Sequence, residues 1–500
     1  MRLACLYVPD FPLAALLRMQ PELRGEALAV ADGTGPRATL LAVAPAAARR
    51  GVRRGLSVAQ AVAVDADLLV QQRSPDTLRA AQAALCDAAE SFSPRVEDAG
   101  EGIAYLDLDG LGSLFASESQ LANALAQRAA HLGLEALVGV AGSKVAAYLA
   151  ARNGGGVTVI PRGEEWSFLA PAPVTLLEPS PVLAATMQRW GIRSIGDLAA
   201  LPASAVGTRL GPEGVRLVHR ARGEDERPLL PRAAPLHFEE GVDLDYGLEG
   251  MEPFLFVLRA VLDRLTARLA VRGLVCGDLR LSLRLATRGR DERTVVVAVP
   301  SNEVKVLLTL VRLQLKAHPP AAAIDALRVA AVAERLRAAQ LDLFRPHGPA
   351  PAQLGVTLAR LTAICGADRV GTPVVADSHR PDAYEVREGG TGLGGYGIRA
   401  STPLTPTPLT PNPIPLALRA VRPPQAIDVF CERDRPEFIR GSGFAGRVVH
   451  AAGPWRVHAD WWNEQAATRD YNDVQLSDGG VYRLYYERVQ HGWFVDGVYD

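Results

Sequence analysis

The stretch Glu101-Gly102-Ile103-Ala104-Tyr105-Leu106-Asp107-Leu108-Asp109-Gly110 constrains the fold more than any other. Its apolar residues Ile103, Tyr105, Leu106 and Leu108, closed by Asp-Gly, predict a buried strand running into a turn. The first residues of the chain, Arg2 to Val8, predict a second such strand, stopped by Pro9. Five hundred residues exceed what one hydrophobic core serves, so several domains are expected, and a hydrophobic fraction of 48% is ample to fill their cores. Lys plus Arg and Asp plus Glu nearly cancel at 54 against 55. A nucleic-acid binder of this balance has to gather its arginines on one face. Cys5, Cys86, Cys276, Cys365 and Cys431 form no CxxC pair and no metal spacing, which predicts free thiols in a reducing cytoplasm and no metal. The early apolar run Leu3 to Val8 is too short for a signal segment or membrane span, so no membrane partner is expected.

The two strands resemble the central palm strands of the Y-family (DinB/UmuC-like) DNA polymerases. There one strand reads Asp-Glu-Ala-Tyr-Leu-Asp and the other Asp-x-Asp-x-Phe-Tyr-Ala. Ala104-Tyr105-Leu106-Asp107 keeps the frame and puts Gly102 and Ile103 where the metal-binding Asp and Glu belong. Matching Phe11 to the second aromatic puts Leu6 and Val8 at the two Asp positions. Two-metal phosphoryl transfer needs hard oxygen ligands around Mg²⁺ ions roughly 3.5 to 4 Å apart, and neither glycine nor an aliphatic side chain supplies them. The family's triphosphate-gripping Tyr and Arg correspond to Pro45 and Ala48, and its Asn-Lys-x-x-Ala-Lys helix to Ser143-Lys144-Val145-Ala146-Ala147-Tyr148, which keeps one Lys. A site rebuilt from Asp98, Glu101, Asp107 and Asp109 is disfavoured: Asp107 belongs to the structural pattern and Asp109 opens a turn. Asp10 is read as a turn or helix cap.

The resemblance implies an α+β multidomain chain with the right-hand Y-family architecture. It divides as palm (1–10 and 76–168), fingers (11–75), thumb (169–232) and little finger (236–336), followed by a clamp-binding motif (339–345), a partly disordered linker (346–425) and a small aromatic-rich β module (426–500). The fingers are Ala- and Arg-rich, with a helix over Ala46 to Gly55 ended by glycine. In the thumb, Met187 to Pro202 resembles a helix-hairpin-helix in which Gly191 and Gly196 turn the backbone and present amides, beside Arg193, to a phosphate. Gly211 and Gly214, before an arginine-bearing helix (Arg216, Arg220, Arg222), offer a second contact of that kind. A tether, Gly223 to Leu236, leads to a long helix over Met251 to Arg272 and a strand, Leu279 to Ala286, with leucines on one face and Arg280, Ser282 and Arg284 on the other. A second strand over Arg293 to Val299, a helix over Glu303 to Ala317 and a final strand over Leu327 to Ala333 complete a small sheet whose open side would lie along the DNA backbone.

Gln340-Leu341-Asp342-Leu343-Phe344 resembles the bacterial sliding-clamp pentapeptide, in which apolar anchors drop into a preformed pocket and Gln340 makes an orienting hydrogen bond. Leu354 to Val370 predicts a short amphipathic helix. Gly389 to Gly395 contains a GxGxxG match without the flanking strand and helix a nucleotide site needs, so with Thr402 to Pro411 it reads as a spacer. The terminal module concentrates aromatics, and Trp455, Trp461, Trp462, Tyr482, Tyr485 and Trp493 are its candidate partner contacts, on a sheet expected to offer a docking edge.

The combination resembles the catalytically inactive, ImuB-type branch of the Y family. What this implies is an adaptor in SOS mutagenesis and translesion synthesis, cytoplasmic and on the nucleoid after DNA damage, without cofactors. Its implied partners are primer-template DNA, the sliding clamp (beta subunit), an ImuA-type protein and an error-prone replicative-type polymerase alpha subunit. The alternatives are an active translesion polymerase with relocated metal ligands and a DNA-binding scaffold with no clamp partner.

Overall fold

The computed structural model describes residues 2–225, 227–233, 237–297, 300–335, 357–358, 360–361, 369–374, 385–388, 418–459 and 466–499. The chain divides into two compact units, Met1–Ala363 and Ile364–Asp500.

In the first unit the palm opens with β1 (Leu3–Tyr7). The chain then leaves it for the fingers: α1 (Phe11–Met19), β2 (Leu28–Ala31), β3 (Leu40–Val43), α2 (Pro45–Arg49), α3 (Val58–Val64) and β4 (Leu69–Gln72). The long finger helix expected to reach Gly55 is only the five-residue α2, with Gly51 turning at φ 96°. The fingers are built instead on a three-stranded sheet, β3-β2-β4. Its central strand, Leu28-Ala29-Val30-Ala31, is buried on both faces and therefore shows no polar alternation to reveal it.

The palm resumes with α4 (Pro75–Glu90), started by the Ser74 hydroxyl accepting the Thr77 N–H and by Pro75 in its first turn. Then follow β5 (Val96–Gly100), β6 (Ile103–Asp107), α5 (Glu118–His131), β7 (Leu137–Ala141), α6 (Lys144–Asn153) and β8 (Val157–Val159). The five strands order as β5-β6-β1-β7-β8, with β1 antiparallel to both β6 and β7. The thumb comprises α7 (Glu165–Leu169), α8 (Pro181–Arg189), α9 (Ile195–Ala199) and α10 (Ala203–Ala221), and its apolar residues join those of α6 in one core.

The little finger comprises β9 (His237–Leu248), α11 (Met251–Val271), β10 (Leu274–Leu285), β11 (Arg290–Val295), α12 (Val304–Ala317) and β12 (Ile324–Arg335), with sheet order β11-β10-β12-β9. The strand expected over Arg293 to Val299 starts three residues earlier, because the hairpin turns tightly at Arg288 (φ 62°) and Leu285 N–H bonds Gly289 O. The strand β9 begins just past the expected tether, in a stretch for which no element is predicted.

In the second unit β13 (Gly371–Val374) and β14 (Glu385–Glu388) pair antiparallel, so the expected linker carries a short ladder. Six strands, β15 (Leu418–Glu432), β16 (Arg435–Gly441), β17 (Phe444–Ala459), β18 (Ala467–Leu476), β19 (Val481–Glu487) and β20 (Gly492–Tyr499), form a closed antiparallel barrel. The module thus starts at Leu418, earlier than the expected Ala426. The expected docking edge is overturned: β15 pairs β20, and a closed barrel has no edge. The clamp-motif residues Gln340, Leu341, Asp342, Leu343 and Phe344, the Gly389 to Pro411 spacer and the Trp461-Trp462 pair lie outside the described residues. Of the expected helix over Leu354 to Val370, six residues are described: Thr357, Leu358, Arg360 and Leu361 are helical, whereas Arg369 is in a 3-10 turn and Val370 is outside any helix.

Candidate functional site

The palm strands pair Leu6 with Ala104 and Tyr7 with Ile103. Opposite residues of an antiparallel pair share a face, so Leu6, Val8, Ala104 and Leu106 all enter the core beneath α4 and α5. Tyr7, Ile103 and Tyr105 pack on the other side, with α6 and the thumb. This corrects the expected alignment by one residue. Leu6 and Val8 are core residues on the wrong face, and the β1 side chain that accompanies Ile103 is Tyr7.

Gly102 has a backbone task of its own. Its φ of 83° is left-handed, and a Cβ there would stand 2.9 Å from the Phe11 ring. Its N–H donates to Gln82 Oε1 (2.8 Å), while Gln82 Nε2 donates to Ile103 O (3.0 Å) and Asp98 Oδ1 (2.7 Å). A glutamine and a phenylalanine thus fill the space beside the strand end. Asp10 caps α1 through its backbone carbonyl, which accepts the N–H groups of Leu13 and Ala14, and its side chain makes no cap.

The neighbouring polar groups are also engaged. Tyr7 meets Tyr148 edge to face at 5.6 Å, and Arg152 bridges Tyr148 and Glu178 (3.1 and 2.7 Å). Lys144, buried, donates to Glu97 (2.6 and 2.8 Å) and to Pro228 O (2.6 Å) of the tether, which leaves it no room to meet a phosphate. Burial drives the Tyr105 hydroxyl pKa well above its ordinary value, so it stays neutral. Asp107 accepts from Arg95 (2.6 Å) and from the Asp109 N–H (3.0 Å), the bonds of a structural aspartate. Pro45 and Ala48 sit exposed on α2. Among the described residues, no group of three or more His, Cys, Asp or Glu is placed to hold a metal ion. Tyr7, Gly102 and Ile103 carry no carboxylate, the hard anionic ligand by which a protein holds such a divalent cation.

In the thumb, Gly191 turns as expected at φ 76°. The expected phosphate cradle is overturned, however, because its amides are spent internally. Gly191 N–H bonds Gln188 O, Ile195 N–H bonds Ala172 O, and Gly196 N–H bonds Ala170 O (3.2, 2.8 and 2.9 Å). Asp197 and Ser194 form a capping box in which the Asp197 carboxylate accepts the N–H groups of Arg193 and Ser194 (3.0 and 2.9 Å), bonds that hold its pKa below the ordinary value. The exposed charge in this part of the thumb is that of Arg193 and Arg216. Gly211 (φ 68°) kinks α10, and Gly214 lets that helix pack, since a Cβ would meet Leu210 at 2.5 Å. Arg222 is structural, donating to the carbonyls of Ala199 and Leu201.

The little finger sheet buries Leu279, Leu281 and Leu283 against α11 and α12 and leaves Arg280 and Arg284 exposed, with Ser282 half-buried. Its register sets Thr294 and Ala330 beside Arg280, Glu292 and Arg328 beside Ser282, and Arg290 and Ala326 beside Arg284. Arg284 is drawn to Asp243 (3.2 Å) and Arg328 to Asp76 and Asp243. Arg290 and Arg328 were missed in the sequence, although each alternates in phase with its strand's outward side.

In the barrel, Tyr485 is buried in a stack with Tyr471 and Phe494, so it is a core residue and not a contact. Tyr482 and Trp493 are half-buried against the core, and Trp455 is exposed. Phe430 on β15, which the sequence reading passed over, is more outward still, and Phe438 on β16, as exposed as Trp455, pairs with it at 6.3 Å.

Residues 6–152 match the impB/mucB/samB family. Over those residues the chain carries the impB/mucB/samB fold. Its relatives include Protein ImuB of Caulobacter vibrioides, 28% identical over 476 residues that take in 90% of this chain and 100% of the relative. A DNA polymerase IV of Dehalococcoides mccartyi (strain CBDB1) is 27% identical over 272 residues, 54% of this chain and 70% of that one. Among solved structures, DinB from Sulfolobus solfataricus is 17% identical and superimposes with a TM-score of 0.42, covering 67% of this chain and 99% of its own. On the palm face a phenol (Tyr7), a hydrocarbon side chain (Ile103) and bare backbone (Gly102) stand where the resemblance would place carboxylate ligands. No helix among the described residues is long and apolar enough to cross a membrane.

Proposed function

We propose that the protein is a polymerase-shaped adaptor for mutagenic translesion DNA synthesis in the SOS response. The observation that carries this reading is the face shared by Tyr7, Ile103 and Tyr105 with Gly102 at its end. It retains the architecture of a two-metal palm and none of the ligands. Arg280, Ser282 and Arg284 of the little finger, with Arg193 of the thumb, would hold primer-template DNA weakly through its phosphates. Gln340 to Phe344 would engage the sliding clamp. The barrel would recruit an ImuA-type protein and an error-prone replicative-type polymerase, through Trp455 and the Phe430 and Phe438 pair together with Trp461, Trp462, Tyr482 and Trp493.

Pull-down of the clamp with the purified chain tests the adaptor role. The wild type is expected to retain the clamp, and the Leu343→Ala/Phe344→Ala variant to lose it. Equal retention by both would overturn the clamp assignment and leave a DNA-binding scaffold.

A further inference from the structure

The seam that joins the little finger to the palm and to α1 of the fingers is built of buried charge. Glu240 on β9, 2% exposed, is reached by three arginines from two modules: Arg18 of α1 (2.8 and 3.1 Å), Arg268 of α11 (3.0 Å) and Arg264 of α11 (3.3 Å). Arg268, also 2% exposed, turns its Nε to Asp87 of α4 at 2.6 Å and its Nη1 to the Glu239 carbonyl at 2.8 Å. Asp87 is fully buried and has Arg272 and Arg232 at 3.5 and 3.7 Å. Glu90 accepts from Arg232 (2.7 Å) and Arg272. Backbone carbonyls complete the joint: Arg18 Nε donates to Leu132 O, Arg128 to Val271 O and Arg264 to Met19 O. At the rim, Arg328 of the little finger pairs with Asp76 of α4. Apolar contact across the seam is slight, with Val271 and Ala267 of α11 entering the palm core.

Such a joint behaves differently from an apolar one. Greasy surfaces slide with little penalty, whereas a buried carboxylate displaced by an ångström or two from its guanidinium is left desolvated and unpaired, a large cost. Full opening would rehydrate the charges, yet the tether opposes it. Arg232 N–H bonds Val96 O (2.8 Å), Leu230 N–H bonds Glu97 (2.6 Å) and Pro228 O accepts from Lys144. We infer that the ion cluster centred on Asp87 and Glu240 fixes the little finger to the palm in one preset orientation, so that the two present DNA with a rigid surface. The little finger then neither hinges nor slides when DNA arrives. This goes beyond the adaptor reading and does not require it.

Pulsed dipolar spectroscopy on the full chain tests it. Spin labels at Asn123→Cys on α5 and Lys305→Cys on α12, both exposed, with Cys365 and Cys431 changed to serine, report the distance across the seam. The expected result is a single narrow distance that does not move when primer-template DNA is added. A broad or double distribution, or a shift on adding DNA, would overturn the inference even if no variant folds. Glu240→Gln, checked for folding by circular dichroism, is expected to widen the distribution. A folded Glu240→Gln protein with the wild-type distribution would also overturn it.

Discussion

The Phe11 ring occupies the place of a side chain at Gly102: a Cβ built there falls 2.9 Å from its Cγ and Cδ2. Restoring a carboxylate by Gly102→Asp therefore combines a left-handed backbone with a collision. The variant is expected to lose roughly 2 to 4 kcal/mol of stability and several degrees of Tm. A thermal melt by circular dichroism checks this, and an unchanged melting temperature would mean that Phe11 yields freely.

Lys144 and Glu97 tie α6 to β5 and to the tether. Lys144→Ala leaves Glu97 largely buried without its cation, at a cost of about 3 kcal/mol. Replacing both, as Lys144→Met with Glu97→Gln, should cost less. Urea unfolding of the two variants compares them, and a double variant less stable than the single would contradict the pairing.

Acid should loosen the seam. Three arginines hold the Glu240 carboxyl down from 4.5 to about 2 against the opposing effect of burial. A pKa depressed in the folded state stabilises above the unfolded value and is lost as pH falls through the folded one. The contribution, on the order of 3 kcal/mol by linkage, should be intact above pH 5 and should decline between about pH 4.5 and 2. Unfolding free energies across that window should slope less in Glu240→Gln than in the wild type.

Arg280 is exposed on the little finger's open face with no ion pair among the described residues, whereas Arg284 is shared with Asp243. Arg280→Ala should weaken binding of any primer-template sequence alike and reduce the salt slope by about one, and Arg284→Ala should do less. Fluorescence anisotropy at several salt concentrations distinguishes them, and a larger effect at Arg284 would contradict the assignment.

Much of this was legible in the sequence because alternation and caps are local signals. Leu279 to Leu285 announced its buried face, and the α4 helix was readable from its apolar spacing. The parity of β1 was not, since Leu3 to Leu6 are all buried and period two vanishes when both faces are covered. The spent thumb amides had a readable warning in Ser194 and Asp197, three apart as a capping box requires. Barrel closure joins Leu418 to Tyr499, and nothing local encodes so distant a pairing. The seam was hidden for the same reason: Arg18, Asp87, Glu240 and Arg268 look like ordinary surface charges until the fold gathers them.

Primer extension by the purified full chain, with Mg²⁺ and then Mn²⁺ and with contaminating polymerase excluded, addresses the central claim most directly. No nucleotide incorporation is the predicted result, with either ion. Incorporation that disappears in Asp107→Ala would contradict it, because it would mean that carboxylates outside the expected positions had rebuilt the metal site.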